Sequence, residues 1–312
     1  MVPVLSGRHV EAAVPPGRAV EAVRDAFVAY ARGEWTMPPK VYLPAYPAGD
    51  FRAMPALGAG HALLKWVTSF PGNPAQGLPT VMGLVLVSDA ANGVLRGVLD
   101  AAAVTAVRTG AAAVLAAETL GRRDARAAGV VGAGVNGRAV ARTFLARGHE
   151  VALFDVDHGR AEEAAANLGA RAASSLDDVL SADLVATVTP AHETVLSAGS
   201  LRAGQHVSLM GADGPGKAEI AVEELARTRV FCDDWGQASH HGDLVHAVDA
   251  GMLGRADVVD LGAVLAGQAV GRRGDEEITA FDSTGLAIQD LAVALAALER
   301  VDALEGVGSL DL

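Results

Sequence analysis

Apolar residues form two different patterns in the first hundred positions. Between residues 16 and 32 they return every three or four positions, which predicts an amphipathic helix. Four later segments are short, apolar and separated by turn-forming residues, which is typical of strands. They are residues 41–43, 62–69, 80–88 and 94–99. The stretch 70–79 is too rich in Pro and Gly for either element. This part of the chain is therefore predicted to contain an antiparallel sheet.

From residue 125 onwards the pattern changes to strand, glycine-rich turn and helix, repeated. Strands are predicted at 127–131, 151–154, 184–187, 207–210 and 229–232, and helices at 136–147 and 161–168. Strands that alternate with helices at this spacing indicate a doubly wound parallel sheet. Residues 101–120 are predicted as a buried helix, and a last apolar helix, 286–298, follows the sheet.

Composition and charge narrow the class of protein. The 312 residues suffice for about two domains, and 51% hydrophobic with 20% charged residues is typical of a globular chain. The net charge of −12, with scattered basic residues, disfavours nucleic-acid binding. The single cysteine, Cys232, excludes an intramolecular disulfide and a Cys-rich zinc site. With no signal peptide and no apolar stretch of the roughly 18–20 residues that span a bilayer, we expect a cytoplasmic protein without membrane contact.

A glycine motif, Gly132-Ala133-Gly134-Val135-Asn136-Gly137, joins a predicted strand to a predicted helix. Such a turn lets a pyrophosphate approach the helix N-terminus, although a tight turn without a ligand is the alternative. Asp155 closes the next strand, where dinucleotide-binding proteins carry the acid that binds the ribose. A carboxylate repels a 2′-phosphate and Val156, not an arginine, follows it, so the sequence predicts NAD rather than NADP.

Two cations stand in apolar segments. Lys65 lies in the predicted strand 62–69, where a surface lysine with a buried stem is the alternative to a functional group. Arg108 lies among small apolar residues of the helix 101–120 and needs an anionic partner, because burying it unpaired is costly. A ligand or an internal salt bridge would satisfy it equally well.

The segment Gly211–Lys217 follows the predicted strand 207–210, and loops at the carboxyl ends of parallel strands bind ligands in such sheets. It carries an acid, Asp213, and a base, Lys217, although a plain turn would also explain it. Before the last helix, Ser283 or Thr284 is expected to cap that helix.

Histidines at 240, 241 and 246 lie close to Asp243 in the sequence. Their spacing matches no common set of metal ligands, so we interpret them as surface histidines and expect no metal site.

Taken together, these residues make the chain similar to the ornithine cyclodeaminase/μ-crystallin family, which includes archaeal-type alanine dehydrogenases and ketimine reductases. The matching stretches stand in family order over residues 37–295. They are Lys65-Trp66-Val67, Asn73-Pro74, Gly77-Leu78-Pro79-Thr80-Val81, Ala106-Val107-Arg108-Thr109-Gly110-Ala111, Gly132-Ala133-Gly134, Gly211-Ala212-Asp213, Pro215-Gly216-Lys217 and Asp282-Ser283-Thr284-Gly285. The stretch 77–81 resembles the alanine dehydrogenase and ketimine reductase branch more than the true cyclodeaminases.

The resemblance implies an α/β fold in which a Rossmann-type NAD-binding domain, residues 113–283, is inserted into an α+β substrate-binding and dimerisation domain built from residues 1–112 and 284–312. It implies a homodimer and an NAD(H)-dependent oxidoreductase acting on the C–N bond of a small amino acid or its imine. One alternative is a redox-neutral cyclodeaminase that forms a cyclic imino acid and ammonia. Another is a non-catalytic, cofactor-binding protein of the crystallin type.

The resemblance also implies roles for individual residues. Asp213 and Lys65 would be catalytic, and Lys65 with Arg108 would hold the substrate carboxylate. The cofactor would contact Thr109, Gly132, Gly134, Val135, Asn136, Gly137, Asp155, Lys217 and Ser283.

Two substrate positions depart from the family pattern. Lys40 stands near the position of a carboxylate-binding arginine in relatives. Arg52 stands thirteen residues before Lys65, where ornithine cyclodeaminases carry a glutamate for the diamino substrate. We expect Arg52 to face the substrate and to repel the ammonium of ornithine, unless it points to solvent.

Overall fold

The computed structural model describes residues 1–191, 193–214 and 216–311. The chain divides into two compact units. The terminal unit comprises Met1–Arg108 and Leu286–Leu312, and the central unit comprises Thr109–Gly285.

The strands, in chain order, are β1 (Val2–Leu5), β2 (Val41–Ala45), β3 (Gly49–Gly58), β4 (His61–Ser69), β5 (Val81–Asp89), β6 (Leu95–Asp100), β7 (Ala127–Val131), β8 (Glu150–Phe154), β9 (Arg171–Ala172), β10 (Leu184–Thr187), β11 (His206–Leu209), β12 (Arg229–Cys232), β13 (Val258–Asp260), β14 (Thr279–Asp282) and β15 (Gly308–Leu310). The α-helices are α1 (Gly7–Ala13), α2 (Pro16–Ala31), α3 (Ala101–Leu120), α4 (Val135–Ala146), α5 (His158–Leu168), α6 (Leu176–Leu180), α7 (Val222–Ala226), α8 (Trp235–His241), α9 (Leu244–Asp249), α10 (Leu261–Leu265) and α11 (Ala287–Leu298).

The terminal unit contains a seven-stranded sheet in the order β15-β1-β6-β5-β4-β3-β2. All neighbours are antiparallel except β1 and β6, so the predicted antiparallel sheet is confirmed. α11 packs on β3, β4 and β5 and against α2, whose apolar stripe is buried as its period predicted.

The sequence did not indicate β3, because Asp50, Arg52 and Pro55 interrupt its apolar pattern. The strand forms because both of its edges are paired, and Pro55 lies beyond the part of β3 that pairs with β2. The turn-rich stretch 70–79, predicted to hold neither element, contains one 3₁₀ turn at Asn73–Gln76.

The central unit contains an eight-stranded, wholly parallel sheet in the order β13-β12-β14-β11-β10-β7-β8-β9. The predicted doubly wound sheet is therefore confirmed. The loops that follow β7, β8, β11 and β14 carry the glycine motif, Asp155, Asp213 and Ser283, all at the carboxyl ends of strands, where such sheets bind ligands.

Helix α3 has the predicted bounds and is the long buried helix of the chain. By length and composition it could cross a bilayer, so the expectation that no apolar stretch reaches that length is wrong. About 72% of its most apolar window is buried within the protein, as in the core helix of a globular fold.

Candidate active site

Two cations of the terminal unit converge on one carboxylate. Lys65 lies on β4 and is 1% exposed, so the interpretation of a surface lysine is wrong. Its Nζ lies 2.9 Å from Oδ1 of Asp290 on α11, and Nε of Arg108 lies 3.4 Å from the same oxygen. The internal salt bridge that the sequence left open for Arg108 is therefore present. Asp290 was missed, although it is the only charged residue between 286 and 298.

Burial and charge together set the protonation of Lys65. Desolvation lowers the pKa of its ammonium and Asp290 opposes that shift, while the positive charges of Arg108 and Arg52 lower it further. The resulting pKa is about 8, so Lys65 is largely protonated at neutral pH. A protonated lysine beside an arginine is a natural site for a carboxylate.

Arg52 lies on the same face of the sheet as Lys65, because it pairs with Val67 and side chains two positions apart on a strand share a face. It is only 7% exposed, which makes the solvent-facing alternative wrong. Its Nε donates to Asp50 Oδ1 at 2.6 Å and a terminal nitrogen donates to Oδ2 at 3.2 Å, while its guanidinium lies 5.3 Å from the ring centre of Tyr42. Lys40 is half-buried and immediately precedes β2.

In the central unit, the glycine motif forms a cradle between β7 and α4. Gly132 has φ +106°, a conformation that residues with a side chain rarely adopt. A Cβ on Gly137 would lie 1.8 Å from the Gly132 carbonyl oxygen, so glycine is required there too. Gly134 caps α4 and has open space around it, which leaves the helix N-terminus accessible to an anion. Val135 is 71% exposed and Asn136 is half-buried in the first turn.

Asp155 follows β8 and is held by the backbone of the cradle. Its Oδ2 accepts a hydrogen bond from the Ala133 amide at 2.8 Å and its Oδ1 accepts one from the Asp157 amide at 2.9 Å. Arg160 lies 3.6 Å from Oδ1. The adjoining cavity of about 590 Å³ is lined by Ala133, Gly134, Val135, Arg138, Asp157, Gly159, Arg160 and Glu163. The open helix terminus and the fixed acid fit the pyrophosphate and ribose of NAD.

The loop after β11 brings its acid and base together. Asp213 Oδ1 lies 2.6 Å from Lys217 Nζ, and the two side chains are 32% and 19% exposed. Pro215, which the family resemblance includes, lies outside the described residues.

Glu219, which the sequence did not indicate, joins the loops that follow β10 and β11. Its Oε1 accepts hydrogen bonds from the amide and the hydroxyl of Thr189 at 2.7 and 2.8 Å. Its Oε2 accepts one from the Gly211 amide at 2.7 Å, two residues before Asp213. The carboxyl group is fully buried, and desolvation raises its pKa while the Thr189 and Gly211 amides oppose that rise.

The expected capping role of Ser283 or Thr284 is wrong, because the N-cap of α11 is Leu286. Both hydroxyls donate instead to buried Asp233, Ser283 at 3.1 Å and Thr284 at 3.3 Å. The Gly285 amide donates to the same carboxylate at 2.8 Å. Tertiary contacts therefore hold the chain after β14.

The remaining predicted positions also lie in the central unit. Thr109, on α3, is 2% exposed, and its hydroxyl has no hydrogen-bond partner within residues 1–191, 193–214 and 216–311. His240 is exposed, whereas His241 and His246 are half-buried, and His246 Nε2 hydrogen-bonds to the Lys217 carbonyl at 2.8 Å. In the described part of the chain, no three His, Cys, Asp or Glu side chains are grouped so that they could hold a metal ion.

Comparison with known proteins places this arrangement in a family. Residues 4–305 match the ornithine cyclodeaminase/mu-crystallin family. Alanine dehydrogenase of Archaeoglobus fulgidus is 41% identical over 306 residues, 95% of this chain and 94% of the relative. The resemblance to the family, and to its alanine dehydrogenase branch, is confirmed.

Two solved structures show the same fold. An archaeal alanine dehydrogenase dimer with bound NAD has a TM-score of 0.93 at 39% identity and covers 99% of both chains. The Δ1-pyrroline-2-carboxylate reductase of Thermococcus litoralis, in complex with NADH and L-proline, has a TM-score of 0.92 at 26% identity, over 99% of this chain and 100% of that one. The predicted α/β fold is confirmed, and both neighbours hold the cofactor that the glycine motif predicts.

Proposed function

The chain belongs to the ornithine cyclodeaminase/mu-crystallin family, and on that premise we propose that it is an NAD(H)-dependent oxidoreductase acting on the C–N bond of a small amino acid or the corresponding imine. The observation that carries this proposal is the position of buried Lys65 and of Arg108 beside the same carboxylate oxygen of Asp290. A non-catalytic, crystallin-like role is disfavoured because these cations and Asp213 are all present. A cytoplasmic location accords with this proposal.

Lys65 and Arg108 bind the substrate carboxylate. The Lys65 ammonium has three N–H donors, of which one is used by Asp290, and the guanidinium of Arg108 has five. Two charged donors on rigid elements, β4 and α3, hold the substrate in one orientation, which removes much of the entropic cost of the reaction. In this proposal the terminal unit is the substrate-binding domain.

The central unit supplies the cofactor site and the acid/base. The glycine cradle and Asp155 hold NAD, which when bound accepts the hydride from the substrate Cα. Asp213 stabilises the resulting iminium charge and accepts a proton from the water that attacks the imine carbon. Asp213 then returns this proton to the nitrogen of the carbinolamine, whose hydroxyl group loses its own proton as the C–N bond breaks. The products are a keto acid and ammonia, and the reverse sequence reduces an imine.

The test is the absorbance of NADH during incubation with a panel of L-amino acids, and in reverse with keto acids and ammonia or with cyclic imines. We expect NADH to accumulate with small neutral amino acids such as L-alanine. Release of ammonia with no change in NADH would instead indicate the redox-neutral cyclodeaminase reaction.

We predict a preference for NAD(H) over NADP(H), because the Asp155 carboxylate would face the 2′-phosphate with like charge. Like charges about 4 Å apart repel by at most about 4 kcal/mol at an effective dielectric of 20, so we expect NADPH to bind roughly 100-fold more weakly than NADH. Fluorescence titration measures both affinities. In the Asp155→Ser variant, Arg160 would lose one of its two carboxylate partners and the difference should shrink. Tighter NADPH binding by the wild type would contradict the role of Asp155.

We further propose that the protein is a homodimer joined through the outer face of the terminal unit's sheet. Val41, Ala53, Trp66 and Leu84 form a row across β2, β3, β4 and β5. Its three large members are 53%, 40% and 51% exposed, and Leu43, Leu64 and Met82 extend the apolar surface. Contiguous apolar surface of this kind marks an interaction site. The similar archaeal alanine dehydrogenase is itself a dimer.

Light scattering coupled to gel filtration should show a dimer for the wild type. The double variant Trp66→Glu/Leu84→Lys, which places charges in the middle of this face, should be a monomer. Met252→Glu, at an apolar residue of the central unit that is 46% exposed, is the matched control and should remain a dimer. A monomeric wild type at micromolar concentration would contradict the proposal.

A further inference from the structure

Asp290 is the carboxylate around which the two proposed substrate-binding cations are arranged. It lies in the first turn of α11 and is fully buried. One of its oxygens, Oδ1, contacts both Lys65 and Arg108, while Oδ2 accepts no hydrogen bond from any residue that the structure describes. The side-chain oxygen of the adjacent residue, Gln289, accepts a hydrogen bond from Arg108 at 3.5 Å. α11 therefore presents a carboxylate and an amide oxygen to these cations.

A lysine in this position needs such a carboxylate to stay charged. Lys65 is fully buried, and a buried ammonium loses the solvation that favours its charged form. Arg108 on α3 and Arg52 on β3 add positive charge around it. The nearby Asp50 is occupied by two hydrogen bonds from Arg52. Asp290 is thus the acid that directly opposes the loss of the proton.

We propose that Asp290 is a positioning residue for the substrate carboxylate site: it keeps Lys65 in the ammonium form and holds it beside Arg108. Lys65, Arg108 and Asp290 then carry one net positive charge, which matches one substrate carboxylate. The inference rests on the proposed function, since it assumes that Lys65 and Arg108 bind the substrate. It extends that function, because it requires the part of the substrate that binds beside Lys65 and Arg108 to carry a single negative charge.

The charge of Lys65 can be measured without any substrate. The chain contains only three lysines, Lys40, Lys65 and Lys217. Protein labelled with ¹³C at the lysine side chains therefore gives three sets of signals, which the Lys40→Arg and Lys217→Arg variants assign. We expect the wild-type Lys65 signal to titrate with a pKa of about 8. Titration well below pH 7 would mean that Lys65 is uncharged at neutral pH in spite of Asp290, and it would overturn the proposal.

Asp290→Asn tests the carboxylate itself, because the amide preserves the shape and removes the charge. We expect the proton affinity of Lys65 to fall at least tenfold, and Asp290→Glu to restore it to within about threefold of the wild type. Asp249→Asn, at an exposed aspartate of the central unit, is the matched control. Unchanged titration of Lys65 in folded Asp290→Asn would overturn the proposal. If Asp290→Asn does not fold, the wild-type titration still decides it.

Kinetics then separates this inference from the proposed function. Lysine is charged below its pKa, so KM for an amino-acid substrate should rise above about pH 8 in the wild type. In Asp290→Asn the rise should begin at lower pH, with KM at pH 7.5 at least about threefold above wild type and a smaller change in kcat. A shifted Lys65 titration without any pH-dependent change in KM would support the role of Asp290 and overturn only the proposed binding of the carboxylate by Lys65. An equal change in KM at every pH would overturn the positioning role.

Discussion

Replacing Asp213 by asparagine should lower kcat by about 10²–10⁴-fold, the usual effect of losing a general acid/base. The amide cannot accept the proton from the attacking water, and it has no charge to stabilise the iminium. The side chain keeps its size, and Glu219 holds the Gly211 amide at the start of the loop through a separate hydrogen bond. We therefore expect the Kd for NADH, measured by fluorescence, to stay within about threefold of the wild type.

The ion pair of Asp213 with Lys217 makes a control necessary, because the substitution also removes this 2.6 Å contact. Lys217→Met breaks the same pair from the other side and should reduce kcat much less than Asp213→Asn does. Near-normal turnover of Asp213→Asn would show that Asp213 is structural. An equal loss in the two variants would assign the effect to the ion pair.

L-Ornithine should be a poor substrate in comparison with L-norleucine, which has nearly the same length but no distal charge. The ammonium of ornithine would approach Arg52, which is buried rather than solvent-facing. Two unit charges about 4 Å apart repel by about 4 kcal/mol at an effective dielectric of 20. Asp50 offsets part of this repulsion through its hydrogen bonds to Arg52. We expect kcat/KM to differ by roughly 100-fold, or about 2.7 kcal/mol.

Arg52→Gln should reduce this discrimination at least tenfold, because it removes the cation and leaves Asp50 to attract the ammonium. Arg96→Gln is the matched control: Arg96 pairs with Asp89 in the same sheet, and its side chain is 49% exposed. Proline formation from ornithine by the wild type, at a rate comparable to norleucine oxidation, would contradict the role of Arg52.

The sequence by itself determined the elements whose apolar period is uninterrupted. The helix α3 and the strands β7, β10 and β12 have the predicted bounds. A buried element is a run of mostly apolar residues, and the ends of such a run can be seen in the sequence. β3 escaped prediction because charged residues occupy its positions. In the folded strand those charges compensate each other, because Arg52 donates two hydrogen bonds to Asp50.

The cofactor cradle was likewise readable from the sequence, since its geometry is almost local. Gly132 and Gly137, at which a side chain would not fit, both belong to the short motif that joins β7 to α4. Asp155, which accepts a hydrogen bond from the Ala133 amide, is only 22 positions further along the chain. The residues that shape this motif are close together in the sequence, so its structure could be predicted without knowledge of the rest of the fold.

The partners that are distant in the sequence, in both units, were decided only by the tertiary structure. Asp290 lies 225 positions from Lys65, Asp233 lies 50 from Ser283, and Glu219 lies 30 from Thr189. A sequence can show that a buried cation or hydroxyl needs a partner, because leaving it without one is costly. Which group becomes the partner depends on which strands and helices pack together. The periodic pattern of apolar residues extends over only a few positions, so it cannot indicate contacts between residues that are 30 or more positions apart.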